Sequence, residues 1–298
     1  MNIPCVACGA QETFFLFRTH DRHYNIPGEF DIVRCARCGL VRLDPMPSDE
    51  QLAGFYADDY YAYVPATKRK SLLAVLSTVL RIDIRTGDPD FKSPGEFLDV
   101  GCGAGAYLRV MADRGWRVRG VEPSSSGSKA GQAMGFDIFH GTLLDAMFPD
   151  SSFDYVRSNH SFEHMTNPVE ILKETHRILR SRGKLYIGIP NGDSFAFRLF
   201  GRYWWYMGVP LHTYTYSVKT IVMLLERSGF KIVKVSFNSN FWSLLGSLQI
   251  FFNRNLGEPS HEGRLVRSKI LILLANIAEK FLDLLGQGDA IEVIAEKM

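Results

Sequence analysis

From Glu96 onward, short runs rich in β-branched and aromatic residues alternate with runs of helical period. This alternation restricts the chain to a parallel sheet covered by helices. Strands are predicted at residues 97–100, 117–121, 136–140, 153–157, 184–189 and 231–237, with a last one at 290–296. Helical runs follow the first five, at 107–114, 126–134, a short 143–147, 168–179 and 218–228. An apolar insertion, 241–287, separates the sixth strand from the seventh. The expected class is therefore α/β, with helices on both faces of the sheet. A chain of 298 residues, 46% apolar, can bury one large core and a small accessory unit. We find no internal repeat and no low-complexity tract.

The first strand runs into Asp99-Val100-Gly101-Cys102-Gly103-Ala104-Gly105 and then into a helix. Glycines let backbone approach a ligand closely, and a helix start offers unpaired N–H groups. Dinucleotide sites use a similar turn, but here the third glycine follows after one residue instead of two, and Asp99 precedes the turn. Both details favour a nucleoside without a pyrophosphate. At the end of the second strand, Glu122 places a carboxylate beside the same crevice, suited to accepting from ribose hydroxyls; the competing reading is a helix-start acid opposite the following serines. His140-Gly141-Thr142-Leu143-Leu144-Asp145 should flank the base, and Phe153-Asp154-Tyr155-Val156 should close the crevice before Ser158-Asn159-His160-Ser161-Phe162-Glu163-His164.

This succession, with Ile178-Leu179-Arg180-Ser181-Arg182-Gly183-Lys184 and Pro190-Asn191 further on, resembles the class I S-adenosylmethionine-dependent methyltransferase family over residues 95–237 and the final strand. The resemblance implies a Rossmann-like seven-stranded sheet with a reversed last strand. It also implies S-adenosylmethionine as methyl donor, with Asp99, Gly101, Gly103, Gly105, Glu122, Thr142, Leu143 and Asn159 as its contacts. Two departures are Arg182-Gly183-Lys184, where many relatives carry Pro-Gly-Gly, and Thr142, where many carry an acid.

Residues 1–46 read as an irregular module, 47–94 as a helical cap or linker, and 95–298 as the cofactor domain. The cap carries a tyrosine-rich stretch at 55–61, a basic turn at 68–70 and an amphipathic run at 71–80. Cys5, Cys8, Cys35 and Cys38 form two Cys-x-x-Cys pairs, and four thiolates in that pattern make a closed tetrahedral zinc site. Zn2+ would be structural there, since so irregular a segment has little core of its own; metal-free thiols or a redox dithiol are the alternatives. Cys35-Ala36-Arg37-Cys38-Gly39-Leu40-Val41, Asp44-Pro45-Met46-Pro47-Ser48, Phe55-Tyr56 and Tyr60-Tyr61 look like the zinc-ribbon leader of bacterial methyltransferases associated with sugar, polysaccharide and other small-metabolite modification.

Methyl transfer is an in-line displacement, and a hydroxyl acceptor must lose its proton. His160, His164 and His212 are the candidate bases, with His212 the first choice. It stands among Arg198, Arg202, Tyr203, Trp204, Trp205, Tyr206, Tyr214 and Tyr216, a cluster that reads equally as a substrate lid or as a hydrophobic cover. The expected acceptor is a small molecule or glycan: a sugar, nucleotide-sugar or lipid-linked saccharide hydroxyl. The competing functions are RNA methylation and a non-catalytic or oxidoreductase nucleotide binder. RNA is disfavoured: residues 1–95 hold 11 Lys and Arg against 12 Asp and Glu, and the whole chain has a net charge of +2.

The insertion is apolar over more than one helical face, so it should pack on the domain, form a homodimer, or lie on a membrane near Arg254, Arg264, Arg267 and Lys269. No stretch is long and apolar enough for a spanning helix, and the start lacks a secretory pattern. The expected compartment is the cytoplasm, with the inner membrane face as a peripheral site.

Overall fold

The computed structural model describes residues 4–56, 93–254 and 263–298. The basic turn at 68–70, the amphipathic run at 71–80 and the tyrosines beyond Tyr56 lie outside the described residues.

All seven expected strands are present. They are β4 (Glu96–Val100), β5 (Arg117–Glu122), β6 (Asp137–His140), β7 (Phe153–Asn159), β8 (Leu179–Pro190), β10 (Phe230–Phe237) and β11 (Ala290–Lys297). They form one sheet in the order β10-β11-β8-β7-β4-β5-β6. β4 pairs in parallel with β5 and β7, whereas β11 lies antiparallel between β8 and β10. The central strands are apolar and bury residues of both faces, including Phe97, Leu98, Tyr155, Val156, Tyr186 and Ile187, as a helix-covered parallel sheet requires. The chain leaves β4 through α2 (Ala106–Ala112) to one side, while β7 lies on the other. A crevice therefore opens at the carboxyl ends of β4 and β7, where open α/β sheets place ligands.

Helices α3 (Ser125–Ala133), α4 (Pro168–Ile178) and α6 (Val218–Arg227) begin where the sequence provides a start. The Ser124 side chain accepts from Gly127 N, Pro168 opens α4, and Ser217 forms a capping box with Thr220. The helix expected at 143–147 is absent. Thr142 Oγ1 and the Thr142 amide both donate to Asp145, closing the segment as a side-chain turn.

The N-terminal segment is not irregular. It carries β1 (Thr13–Thr19), β2 (Phe30–Cys35) and β3 (Val41–Asp44) as an antiparallel sheet, followed by α1 (Asp49–Gly54). A two-residue strand from the far side of the sequence, β9 (Tyr214–Thr215), completes that sheet against β3. Cys5, Cys35, Cys38 and Leu40 share one buried cluster with Ile221, Leu224 and Tyr216, and Arg227 donates to the Ala7 carbonyl.

The insertion forms a π-helical turn, Trp242–Gly246, running into α7 (Ser247–Phe252), then α8 (Arg264–Arg267) and α9 (Lys269–Leu284). In α9 the polar stripe faces the protein. Asn276 accepts from Phe241 N, Glu279 from Leu244 N and Asp283 from Ser239 N, so these side chains hold the approach to and first turn of Trp242–Gly246. The apolar stripe faces outward, with Ile270, Ile277 and Leu284 72%, 60% and 85% exposed.

Glu279 is fully buried, and among the described residues Glu279 Oε2 and Ser243 Oγ lack hydrogen-bond partners. Burial, reinforced by the negative charge of Asp289, pushes its carboxyl up to about 8. From the ordinary 4.5 up to about 8, the folded chain holds a proton that the unfolded chain releases, so stability falls as pH rises through this window. Glu279→Gln keeps the acceptor for Leu244 N and carries no charge. The expected result is wild-type stability near pH 4.5 and a gain on the order of 4 kcal/mol at pH 8.5. Urea unfolding at both pH values checks it; a variant no more stable than wild type at pH 8.5 would contradict a neutral Glu279.

Candidate active site

The glycine turn is shaped by its neighbours. Gly101 has φ +75°, and a Cβ there would come within 2.5 Å of Ser161 Cβ, so only glycine lets the end of β4 lie against the segment leaving β7. Ser161 Oγ donates to the Val100 carbonyl at 2.7 Å, fixing this approach. Gly103 and Gly105 also have positive φ, and the Gly103 amide donates to Glu122 Oε2 at 2.8 Å. Glu122 Oε1 accepts from Ser124 N, also at 2.8 Å. Each carboxylate oxygen thus holds one amide and keeps a lone pair. Burial pushes the Glu122 carboxyl above its ordinary range, and the Ser124 and Gly103 amides oppose that rise. A buried acceptor beside a close-packed turn suits the hydroxyls of a ligand.

Asp99 takes a partner within the protein. Its carboxylate accepts from Arg157 Nη1 at 2.9 and 3.2 Å, both side chains are buried, and the guanidinium lies 3.8 Å from the Tyr107 ring centre. Asp99 and Phe97 point to the same face of β4, into the packing of Tyr155 and Tyr186, because side chains alternate along a strand. The reason is physical: a carboxylate buried this deeply needs a counterion, and β7 supplies one at the adjacent register, Asp99 to Arg157. Thr142 is engaged with Asp145, the Leu143 side chain belongs to the core, and Asn159 accepts from the Tyr186 hydroxyl. These three stand at the ends of β6 and β7, and their side chains are committed within the protein.

The three candidate bases converge. His160 follows β7 in the left-handed region, φ +50°, unusual for a non-glycine residue. The next turn, Phe162–His164, buries Glu163 and His164, and the loop after α5 (Phe195–Phe200) brings His212 against them. His160 Nδ1 stands 3.4 Å and His212 Nε2 4.0 Å from Glu163 Oε1, and the His164 and His212 rings meet edge-on at 4.7 Å. His212 Nδ1 donates to the Tyr206 carbonyl at 2.9 Å, which leaves a lone pair on Nε2 in the neutral ring. His164 Nδ1 lies 2.8 Å from the Tyr56 hydroxyl. Burial pushes His164 down to about 3, with the neighbouring His212 adding to it, and burial lowers His212 as well. Glu163, which burial alone would raise, is held down to about 2 by His160, His164 and His212.

Glu163 is the centre of this cluster and the residue that reading histidines one by one passes over; the available signal was a carboxylate with histidines at i−3 and i+1 just past a strand. Tyr56 and Arg157 gave weaker signals, Arg157 as the one cation inside an apolar strand.

At the N-terminus the four thiols lie within 4.8 Å of one another, and Cys5 Sγ–Cys38 Sγ and Cys8 Sγ–Cys35 Sγ are each 3.5 Å apart. No disulfide links them. A tetrahedral zinc with Zn–S of about 2.3 Å separates its sulfurs by about 3.8 Å, so the thiols fit that ion. The site is joined to the histidines: Leu43 N donates to the Thr213 carbonyl, and the Thr213 amide and hydroxyl both donate to the Glu163 carbonyl.

The sequence model of a family described as a methyltransferase domain matches residues 70–235. A Mycolicibacterium smegmatis protein named "Probable S-adenosylmethionine-dependent methyltransferase" is 30% identical over 142 residues, 46% of this chain and 52% of that protein. Ajmaline N-methyltransferase of Rauvolfia serpentina is 28% identical over 160 residues, 50% of this chain and 54% of its own length. The chain spans between half and two thirds of the length of such curated relatives. Among solved structures, a SAM-dependent methyltransferase from Archaeoglobus fulgidus shares the fold at a TM-score of 0.50 and 22% identity, covering 75% of this chain and 94% of that one. With the family match spanning more than half its length, the chain belongs to the family described as a methyltransferase domain, and it has the fold of that Archaeoglobus fulgidus structure.

Proposed function

We propose that the protein transfers a methyl group from S-adenosylmethionine to a hydroxyl of a small-molecule or glycan acceptor, a sugar, nucleotide sugar or lipid-linked saccharide. The observation that carries this reading is the convergence of His160, Glu163, His164 and His212 beside Ser161, which itself touches the glycine turn. When bound, S-adenosylmethionine supplies a methyl group activated by its sulfonium. Glu122 would hold the ribose, Gly101 and Gly103 would set how closely the backbone approaches, and the histidine cluster would receive the acceptor. A hydroxyl needs help to lose its proton, and the Nε2 lone pair of His212 is the acceptor this chain offers for it.

Around the cluster, Tyr206 stacks on His160 with the rings 11° apart, and Trp205 stacks on Trp242 at 4.4 Å. Aromatic rims of this kind suit the faces of saccharide rings. Relatives named for ajmaline and for demethylmenaquinone support a small-molecule class over RNA. Tritiated methyl transfer to pooled nucleotide sugars, extracted lipids and RNA tests the reading. Label is expected in the first two pools, and label in RNA alone would overturn it.

Among the described residues no helix is long and apolar enough to cross a membrane. The outward face of α9 nevertheless suits a membrane surface: its apolar stripe ends at the exposed cations Arg264, Arg267 and Lys269, with Arg254 on the preceding segment, a pairing that fits anionic headgroups. Flotation with vesicles of phosphatidylglycerol and phosphatidylcholine is expected, weakened at least about tenfold by Ile277→Glu. A stable dimer in solution that does not float would assign the face to a second copy instead.

A further inference from the structure

We propose that Glu163, His164 and His212 bind a divalent first-row transition-metal ion, and that the acceptor hydroxyl enters an open position on that ion. The metal site rests on geometry alone; its use in catalysis rests on the methyl-transfer reading above.

Glu163 Oε1, Glu163 Oε2 and the carboxylate as a whole are buried, and neither oxygen has a hydrogen-bond partner among the described residues. A buried carboxylate normally accepts several hydrogen bonds, and leaving it bare is strongly unfavourable. Here the groups that face it are imidazoles: His160 Nδ1 at 3.4 Å and His212 Nε2 at 4.0 Å. One donor atom from each of Glu163, His164 and His212 lies within 4.8 Å of the others, a separation that small side-chain rotations close onto bonds of about 2.1 Å.

The outer contacts match those of a metal site. A ligating imidazole uses its second nitrogen to bond a carbonyl, carboxylate or other polar group, which fixes the ring and its tautomer. His212 donates from Nδ1 to the Tyr206 carbonyl, and His164 Nδ1 is held by the Tyr56 hydroxyl, so Nε2 remains on each ring. The Glu163 backbone is pinned by both the amide and the hydroxyl of Thr213, the neighbour of His212, so the two loops that contribute ligands are tied together. Two imidazoles and one carboxylate form a neutral-nitrogen and hard-oxygen set suited to Mn2+, Fe2+, Co2+ or Zn2+, with positions left for exogenous oxygen. It differs in kind from the all-thiolate cluster at Cys5, Cys8, Cys35 and Cys38.

Such an ion would lower the pKa of a coordinated hydroxyl, as it does for water. The O–H proton would leave to solvent on the side of the partly exposed His160. The oxygen lone pair forms the new bond to the methyl carbon as the C–S bond breaks, and that electron pair stays on sulfur, giving S-adenosylhomocysteine. His212 is then a ligand, and proton removal no longer depends on its lone pair.

The test uses the full chain with its thiolates already loaded with Zn2+. Mn2+ binding is followed by the loss of the free-ion EPR signal, and Co2+ binding by visible absorption. One equivalent of Mn2+ or Co2+ is expected beyond the thiolate zinc, with affinity reduced more than about 100-fold in Glu163→Gln and in His212→Gln, and retained in part by Glu163→Asp. Binding of S-adenosylhomocysteine by each variant reports that the fold is intact. Absence of a second equivalent of either ion in the wild type overturns the site, as does unchanged affinity in both folded variants. Methyl transfer that persists in chelator-washed protein lacking this second ion overturns the metal role and leaves the methyltransferase reading standing. Bound ion without transfer to any hydroxyl acceptor does the reverse.

Discussion

Replacing Cys38 by serine is expected to abolish methyl transfer while leaving S-adenosylmethionine binding largely intact. The thiols of Cys5, Cys8, Cys35 and Cys38 are gathered within 4.8 Å, and a structural zinc held there would contribute on the order of 10 kcal/mol to folding. Losing one ligand should release the turns around Gly9 and Gly39 and loosen β1–β3. The consequence reaches the active site through one edge: β3 pairs with β9 at Val41–Thr215 and Arg42–Tyr214, and Leu43 N holds the Thr213 carbonyl. His212 is the next residue. An ångström of displacement of a positioned group can cost about 100-fold in rate, so a loss of at least about 100-fold is expected. The glycine turn and Glu122 sit on β4 and β5 and have no part in that edge. Zinc content, calorimetric titration with S-adenosylmethionine and single-turnover transfer together check this. Full activity in zinc-free Cys38→Ser protein would show that the module does not position His212.

The elements legible in the sequence are those whose signal is local. Each strand of the large sheet announces itself by a short apolar run bounded by turn residues, and the motif order along Asp99–Gly105, Glu122 and Phe153–Asp154 carries the topology. What was not legible depends on partners distant in sequence. β9 is two residues long and exists because β3 offers an edge. Asp99 reads as a ligand contact by position, and its pairing with Arg157, 58 residues on, is a second duty that position does not show. The helix expected at 143–147 lost to the turn that Asp145 makes with Thr142, which satisfies the backbone locally. The stripe of α9 was visible by period, yet periodicity identifies an apolar face without saying which side turns inward. There Asn276, Glu279 and Asp283 repeat at the same spacing and bind the backbone of the preceding segment. The three histidines were each recognisable; their convergence on Glu163 comes from a loop 50 residues away folding back, which no spacing rule encodes.

Glu122→Ala is expected to weaken binding of S-adenosylmethionine and S-adenosylhomocysteine by about 100-fold or more, the equivalent of two hydrogen bonds to a charged group at about 1.5 kcal/mol each. The carboxylate has two duties. It accepts from the Gly103 and Ser124 amides at 2.8 Å each, holding the turn and the entry to α3 in place, and each oxygen keeps a lone pair that a ligand hydroxyl could use. Removing it leaves both amides without their acceptor. Glutamine rescues only in part: its Nε2 would point a donor at one of those amides, so Glu122→Gln should fall between wild type and alanine. The ribose role is separable from the turn-holding role by the ligand. Against the wild type, 2′-deoxy and 3′-deoxy S-adenosylhomocysteine should each bind about tenfold more weakly than the parent; against Glu122→Ala that difference should vanish. Because burial raises the Glu122 carboxyl, protonation on acidification should remove one acceptor at a higher pH than an ordinary glutamate would allow, and affinity should fall on the acid side of neutrality in the wild type but not in the alanine variant. If both deoxy ligands lose the same affinity in the variant as in the wild type, Glu122 shapes the turn and does not touch the ribose.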